Sequence, residues 1–254
     1  MSEEYREIIK RELLTVAQHD APVHKDILIV VKDQLPFVKT CLESIRKHTK
    51  DYTIYLWDNG SSQETVDYLK SVENDDLIVY FNSDNDGFII PNNRLIERTT
   101  SDYIILLNSD TKVYPGWDTA MIAFLRSDPN LAQVGYMGGL LNEMAEGSQT
   151  AWGAEIDFIP AWCTCIARST YRKFGLFDEE HLTFAYCEDA DFSLRLKSCG
   201  ERIYALHLSY VEHFGSQTIK AVHAEGKVDV ESSFAKNHAY MRERWKNYLS
   251  PEFN

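Results

Sequence analysis

Short apolar runs alternate with amphipathic stretches along the first half of the chain. The apolar runs lie at residues 27–31, 53–57, 77–81 and 103–107, and each predicts a strand, the first of them buried on both faces. The stretches between them carry apolar residues at helical spacing. Strands that alternate with helices predict an α/β fold, in which helices flank a mostly parallel sheet.

Capping and turn residues predict where several of these helices begin. Pro36 suits the first turn of a helix after the first strand, because that turn leaves its amide groups unbonded. Ser61 and Glu64 have the spacing of a capping box and predict the start of the next helix. Two further helices are expected at residues 3–18 and 92–98.

The second half of the chain has a less regular pattern. Strand-like segments occur at residues 134–141 and 158–167, and a helix is predicted at 189–198, where Gly200 would end it. Near the C-terminus four residues recur at helical spacing, namely Phe234, His238, Met241 and Trp245. We expect this last helix to pack on the body of the protein, with contact to a membrane surface or a partner as the alternative.

Composition and charge exclude several classes of protein. With 44% hydrophobic residues, the 254-residue chain can bury a sizeable core. The net charge of −13 argues against a nucleic acid partner, because neutralising phosphates needs clustered lysine and arginine. The longest apolar runs are too short for a transmembrane segment, and the first ten residues lack the apolar core of a signal peptide. We therefore expect a soluble, cytoplasmic protein.

Polar residues follow each of the four predicted strands. In an open parallel sheet, ligands bind outside the carboxyl ends of the strands, so four polar segments at one edge predict a binding site. The candidate residues are Lys32, Asp33, Asp58, Asn85, Gly87, Phe88, Asn93, Asn108, Ser109 and Asp110.

Two common classes of nucleotide-binding protein lack their characteristic loop in this sequence. A dinucleotide-binding oxidoreductase would also place an acid at the end of the second strand, as Asp58 does. However, the turn at residues 31–36 contains no glycine, so its backbone cannot approach a pyrophosphate as a G-x-G-x-x-G loop does. The sequence also has no Walker-type phosphate loop, which argues against the common kinases and NTPases.

Five short motifs follow one another along the chain. They are W-D-N-G-S-S at 57–62, N-D-G-F at 85–88 with Asn92 and Asn93 after it, L-L-N-S-D-T at 106–111, F-G-L-F-D at 174–178 and C-E-D-A-D-F-S-L-R at 187–195. In this order they resemble family 2 glycosyltransferases, particularly the rhamnosyltransferase-like branch. The resemblance covers about residues 26–216 and implies the GT-A fold, a Rossmann-like sheet with an acceptor-side subregion. It also implies transfer of a sugar from a nucleotide diphosphate sugar to an acceptor hydroxyl on a glycan, a lipid-linked or a protein-linked acceptor.

The resemblance also implies roles for individual residues. Asp58 matches the acid that contacts the base or ribose of the donor, which would be a UDP, dTDP or GDP sugar. Asp110 matches the last acid of the D-x-D metal motif, although Asn108 stands in its first position. His213 matches a histidine that can complete the metal site. The implied cofactor is Mn²⁺ or Mg²⁺, which with carboxylate oxygens neutralises the charge that develops on the leaving diphosphate.

An acidic cluster supplies the candidates for catalysis. On a helix, Glu188 and Asp191 share one face, and Arg195 lies one turn beyond Asp191 as an ion-pair partner. Asp189 points elsewhere, and we expect it to be the general base, with Glu188 shaping the acceptor site. The resemblance assigns the base to the same position and implies an inverting transfer, for which one base suffices.

Three residues are predicted on the acceptor side. Trp152 and Trp162 could stack on sugar rings, with core packing as an equal alternative, and Asp191 lies beside the predicted base. The sequence shows no repeat or linker, so residues 1–254 are predicted to form one catalytic domain. Its expected parts are a donor-binding half at about 26–115, an acceptor and catalytic half at about 116–216, and a C-terminal helical extension at 217–254.

Two other functions stay open on the sequence. A catalytically weak protein that binds sugar nucleotides or glycans could use the same fold, although the presence of Asp58, Asp110 and Asp189 together argues against it. A nucleotidyltransferase would need a glycine-rich, basic loop after the first strand, and residues 30–34 do not supply one.

Overall fold

The computed structural model describes residues 2–19, 21–215 and 229–250. Its strands are β1 (Lys25–Val31), β2 (Tyr52–Asn59), β3 (Leu77–Asn82), β4 (Tyr103–Leu107), β5 (Thr111–Val113), β6 (Leu131–Gly135), β7 (Gly138–Leu141), β8 (Gly147–Ala151), β9 (Cys163–Ala167), β10 (Arg202–Ala205) and β11 (Val211–His213). Its helices are α1 (Glu3–His19), α2 (Leu35–His48), α3 (Gln63–Val72), α4 (Ile89–Arg98), α5 (Trp117–Ser127), α6 (Arg168–Phe174), α7 (Glu188–Ser198) and α8 (Val230–Leu249).

A seven-stranded sheet forms the centre of the protein, in the order β10-β6-β9-β4-β1-β2-β3. Strands β4, β1, β2 and β3 run parallel to one another, as β10 does to β6. Strand β9 runs antiparallel to both β4 and β6 and joins the two groups. Two small antiparallel sheets, β5 with β11 and β7 with β8, lie outside it. The predicted α/β fold with a mostly parallel sheet is confirmed.

Helices cover both faces of the central sheet, which explains the continuous apolar runs. In β1, Ile27 and Ile29 pack on one face against apolar residues of α2 and α5, while Leu28 packs on the other face against residues of α4 and α7. Each of these three side chains is at most 1% exposed. A strand buried on both faces has no polar alternation, as the sequence predicted.

Three local predictions were wrong. Helix α3 is capped at Ser62 without a side-chain hydrogen bond, so Ser61 and Glu64 form no capping box; the Ser61 hydroxyl instead accepts a hydrogen bond from the Asp33 amide. The predicted strand at 134–141 is two strands, β6 and β7, which belong to different sheets. Helix α4 begins at Ile89, three residues earlier than predicted.

Helix α8 packs on the body of the protein through part of its predicted stripe. Met241 and Trp245 are buried against Ala190 and Leu194 of α7, whereas Phe234 is 46% exposed. No helix in the described part of the chain is long and apolar enough to cross a membrane. Contact of α8 with a membrane surface or a partner stays a prediction.

Candidate active site

A cavity of about 270 Å³ opens at the carboxyl ends of β1, β2 and β4. This is the sheet edge at which the sequence predicted a site. Its walls are formed by Val30, Lys32, Asn59, Asn85, Gly87, Phe88, Asn108, Ser109, Asp110, Pro160, Ala161, Trp162, Phe184, Ala185, Tyr186, Glu188, Asp189 and His213. The structure therefore brings together most of the residues proposed for donor, metal and base.

Two predicted donor ligands, Asp33 and Asp58, lie beside the cavity and hold the turn between β2 and α3. Asp33 accepts a hydrogen bond of 2.7 Å from the amide of Ser62, and Asp58 accepts one of 3.2 Å from the amide of Ser61. Burial raises the pKa of Asp58. Burial would raise the pKa of Asp33 too, but hydrogen bonds from Lys32 and Ser62 outweigh it and lower that pKa.

Asn59 lines the cavity and connects β2 to the loop after β3, a role that the sequence analysis missed. Its side-chain amide donates to the Asn85 side chain at 2.8 Å and to the Gly87 carbonyl at 2.7 Å. Its side-chain carbonyl accepts from the amide of Asp86 at 3.0 Å. Nothing in the sequence distinguishes Asn59 from its acidic neighbour Asp58, but a side-chain amide can donate and accept hydrogen bonds at once, which a carboxylate cannot.

The loop after β3 packs closely against residues 184–186, which also line the cavity. Gly87 has a φ of +78°, and a Cβ at this position would lie 2.3 Å from the Phe184 carbonyl oxygen. The same oxygen accepts a hydrogen bond of 2.6 Å from the Phe88 amide. Only glycine fits here, since another residue would meet both a left-handed backbone and a steric clash.

Two residues that were predicted to bind substrate lie outside the cavity. Asn93 is 1% exposed, donates to the Phe177 carbonyl and the Glu179 carboxylate, and accepts from the Phe177 amide, so its side chain does not face the donor. Asp191 is completely buried, where it accepts hydrogen bonds from Arg195 and Trp245 at 3.0 Å each. The predicted pair with Arg195 is present, but Asp191 cannot contact an acceptor.

The two predicted metal ligands meet at one wall of the cavity. His213 Nε2 lies 3.1 Å from Asp110 Oδ1, although 103 residues separate them in the sequence. The pairing of β11 with β5 carries His213 to this position, next to the end of β4. The ring of Trp162 stacks on the His213 ring with centroids 4.7 Å apart, which fixes the orientation of the imidazole.

The chemistry of this wall fits a divalent cation with a partial set of protein ligands. In the described residues, no group of three or more histidine, cysteine or acidic side chains is arranged to hold a metal. Asp110 and His213 offer one carboxylate and one imidazole, so further ligands would come from a phosphate-bearing substrate and water. Mg²⁺ and related ions are bound in this way, through one or two protein groups plus substrate phosphates.

Glu188 and Asp189 are adjacent carboxyls that line the same cavity, Glu188 buried and Asp189 half-buried. Asp189 is held by the amides of Ala190 at 2.8 Å and Ala161 at 3.3 Å. Burial raises the pKa of Asp189, and burial together with the neighbouring Asp189 charge raises that of Glu188 well above its usual range. The Oε2 atom of Glu188 is buried and has no hydrogen-bond partner in the described part of the chain. We expect Glu188 to keep its proton and Asp189 to lose its own first.

The two tryptophans that were predicted on the acceptor side lie in different places. Trp162 lines the cavity. Trp152 is 47% exposed and lines an adjoining groove, of which Trp162 and His213 also form part. Trp162 also packs against the hydrophobic core, the alternative that the sequence left open.

A sequence profile matches more than half of the chain. The profile of glycosyl transferase family 2 matches residues 26–177, which include all but the first residue of β1, the strands through β9, and the cavity-lining residues from Val30 to Trp162. No curated protein sequence matches this chain.

Solved structures show the same fold. GalNAc-T7, determined with UDP, GalNAc and Mn²⁺, superposes with a TM-score of 0.66 at 15% identity, covering 84% of this chain and 53% of that one. The mannosyltransferase PcManGT from Pyrobaculum calidifontis, in complex with GDP-Man and Mn²⁺, superposes with a TM-score of 0.64 at 11% identity, covering 98% and 79%. The chain thus spans about half the length of the first structure. Both similarities support the predicted GT-A fold.

Proposed function

This chain belongs to glycosyl transferase family 2, and we propose that it transfers a sugar from a nucleoside diphosphate sugar to an acceptor hydroxyl. The observation that carries the proposal is the presence, in one cavity, of an Asp110–His213 pair and of a half-buried Asp189. The Asp110–His213 pair suits a diphosphate with its cation, and the Asp189 carboxylate suits an acceptor hydroxyl that must lose a proton.

The donor would lie along the carboxyl ends of the strands. Asn85 and Phe88 offer an amide group and an aromatic ring to its nucleoside, while Asn59 and Asp58 support the loops beside them. Asp110 and His213 would hold Mn²⁺ or Mg²⁺, which neutralises charge on the diphosphate when bound. The cavity wall bears three carboxyl side chains and one lysine, so a diphosphate needs such a cation there.

The chemical step assigns the base to Asp189. Its carboxylate takes the proton of the acceptor hydroxyl, whose oxygen forms a bond to the anomeric carbon. The bond between that carbon and the phosphate oxygen breaks, and the nucleoside diphosphate leaves with the electron pair. Attack from the side opposite the leaving group inverts the configuration. The amides of Ala161 and Ala190 hold the carboxylate in place for this step.

Glu188 has a complementary role in this proposal. With its proton retained, its buried Oε2 donates a hydrogen bond to a sugar hydroxyl inside the cavity. A neutral Glu188 also places no second negative charge beside the ionised Asp189, so the two carboxyls do not repel each other. Two neighbouring carboxyls whose pKa values differ can thus act at one pH, one as a hydrogen-bond donor and the other as a general base.

A panel of donors tests the proposed function. The full chain is incubated with UDP, dTDP and GDP sugars, including dTDP-rhamnose for the branch that the motifs resemble, and with Mn²⁺ or Mg²⁺. Release of nucleoside diphosphate from one donor, accelerated by a glycan acceptor, is the expected result. Binding of a donor without release over the whole panel would instead favour a sugar-nucleotide-binding protein.

A further inference from the structure

The groove next to the cavity has the composition of a sugar-binding surface. Its volume is about 270 Å³, and Trp162 and His213 belong to both the groove and the cavity. Four of its other lining residues carry aromatic rings, namely Tyr5, Tyr136, Trp152 and His207. The groove therefore continues from the metal-side wall of the cavity out to the surface.

The Trp152 ring is exposed but held in a fixed orientation. Its Nε1 donates a hydrogen bond of 3.3 Å to the Tyr136 carbonyl, while 47% of the residue faces solvent. Exposing a large apolar ring to water costs free energy that burial would recover. A ring that is both exposed and anchored offers a flat platform at low entropic cost.

His207 lies beside this platform and is fixed by a buried acid. Its Nδ1 lies 2.7 Å from Oε1 of Glu12, a completely buried carboxyl on α1 that also accepts from the His207 amide. Because a carboxylate oxygen accepts, this contact indicates that Nδ1 carries the proton and donates it to Glu12. The Nε2 atom has no hydrogen bond to any described residue, so it can accept one from a ligand. The Trp152 and His207 rings lie 6.4 Å apart, inclined by 32°.

Helix α1 closes the outer side of the groove. Tyr5 contacts the His207 ring edge-on at 5.8 Å, and its hydroxyl donates to the His207 carbonyl at 3.3 Å. Both Tyr5 and Glu12 precede residue 26, where the match to the family profile begins. The groove is thus built in part by a segment that lies outside the matched region.

We propose that this groove binds a pyranose ring of the acceptor, with the apolar face of the sugar on Trp152 and one hydroxyl on His207 Nε2. The inference rests on the proposed function and adds the acceptor class, a saccharide. A pyranose has an apolar face and polar edges, and the groove offers a ring face next to a fixed nitrogen. The shared Trp162 and His213 place this subsite next to the reacting end of the donor.

Binding of methyl glycosides tests the proposal without turnover. The probes are the methyl pyranosides of glucose, galactose, mannose, rhamnose and N-acetylglucosamine, added at millimolar concentration to the full chain with UDP and Mn²⁺ and followed by saturation-transfer NMR. At least one should bind, and Trp152→Ala should weaken it about tenfold. Trp152→Phe, which keeps a ring, should restore most of the affinity, and His207→Ala should also weaken binding.

Controls separate this subsite from the donor site. UDP affinity should be unchanged in Trp152→Ala, and Phe81→Ala, which removes a similarly exposed ring on β3, should leave glycoside binding intact. The proposal is wrong if no glycoside binds, if Trp152→Ala binds them normally, or if a synthetic Ser/Thr peptide binds in their place with dependence on Trp152. Failure of the wild-type protein to bind any of UDP, dTDP and GDP would contradict the proposed function instead.

Discussion

At the scale of single residues, the neighbours Glu188 and Asp189 have different proposed roles: Glu188 donates a hydrogen bond to the substrate, and Asp189 is the general base. Asp189→Asn keeps the size of the side chain and removes its basicity, so kcat should fall by about 10² to 10⁴. Glu188→Gln mimics the protonated form and should cost much less. Nucleotide release is the measurement, with calorimetry to show that both variants bind the donor. If Glu188→Gln is the more damaging change, the base is the other carboxyl.

The raised pKa values of this pair predict opposite effects of pH on activity and stability. Activity needs ionised Asp189, so kcat/KM should rise with pH through an acid limb that lies above about pH 4, where an exposed aspartate titrates. The folded state holds these protons more tightly than the unfolded chain does. The stabilisation is therefore complete at pH values below the unfolded pKa and declines as pH rises through the folded pKa. Thermal melts should show a smaller decline in Glu188→Gln.

Asp191 is a structural residue whose loss should reduce stability. Its carboxylate is fully buried between Arg195 at 3.0 Å and Arg244 at 3.3 Å. Removing one partner of a buried pair leaves an uncompensated charge, so Asp191→Asn should lower the free energy of unfolding by about 3 kcal/mol, far above the cost at an exposed pair. Urea denaturation measures this loss. A decrease below about 1 kcal/mol would show that solvent reaches the pair.

At the scale of elements, helix α8 holds the loop that forms one wall of the cavity. Asn237 is completely buried and binds four main-chain groups of residues 183–186. Its Nδ2 donates to the carbonyls of Thr183, Ala185 and Tyr186, at 2.8 to 3.0 Å, and its Oδ1 accepts from the Thr183 amide at 2.8 Å. Phe184, Tyr186 and Cys187 have positive φ values, a strained backbone that persists only when its surroundings impose it.

Asn237→Ala should therefore impair catalysis beyond its cost in stability. Loss of these bonds lets residues 184–186 relax, so we expect a fall in kcat of about tenfold or more, because small misplacements at a reacting centre are costly. Asn93→Ala is the matched control, since Asn93 is equally buried and binds main-chain groups away from the cavity. Similar melting temperatures with different kcat values would support the positioning role, and equal kcat values would contradict it.

The elements that the sequence predicted well are those whose burial is uniform. Strands β1 and β4 are buried on both faces and β2 nearly so, and each leaves a continuous apolar run. The cavity wall at 184–186 left no such signal, because phenylalanine and tyrosine rarely adopt a left-handed backbone and nothing in the sequence marks it. The role of Asn59 and the burial of Asn93 and Asp191 depend on partners far along the chain, which periodicity does not reveal.

At the scale of the whole molecule, the metal wall joins distant parts of the chain, since Asp110 follows β4 and His213 ends β11. A cation bound to the folded state alone stabilises it by mass action. We expect Mn²⁺ to raise the melting temperature, EDTA to abolish activity, and His213→Ala to lose the thermal shift. Full activity in EDTA, with no shift on adding Mn²⁺, would remove Asp110 and His213 from this role.

The antiparallel strand β9 has a consequence for how the protein is made. Until residues 163–167 leave the ribosome, the group β3-β2-β1-β4 ends in β4, a nearly fully buried apolar strand with one unpaired edge. Strand β6 is also complete by then but reaches the sheet only through β9. An unpaired apolar edge is a template for pairing with other chains. During synthesis, the nascent chain is therefore most prone to aggregate between the emergence of β4 and that of β9, a stretch of about sixty residues. A chaperone that binds the nascent chain would be most useful during this period.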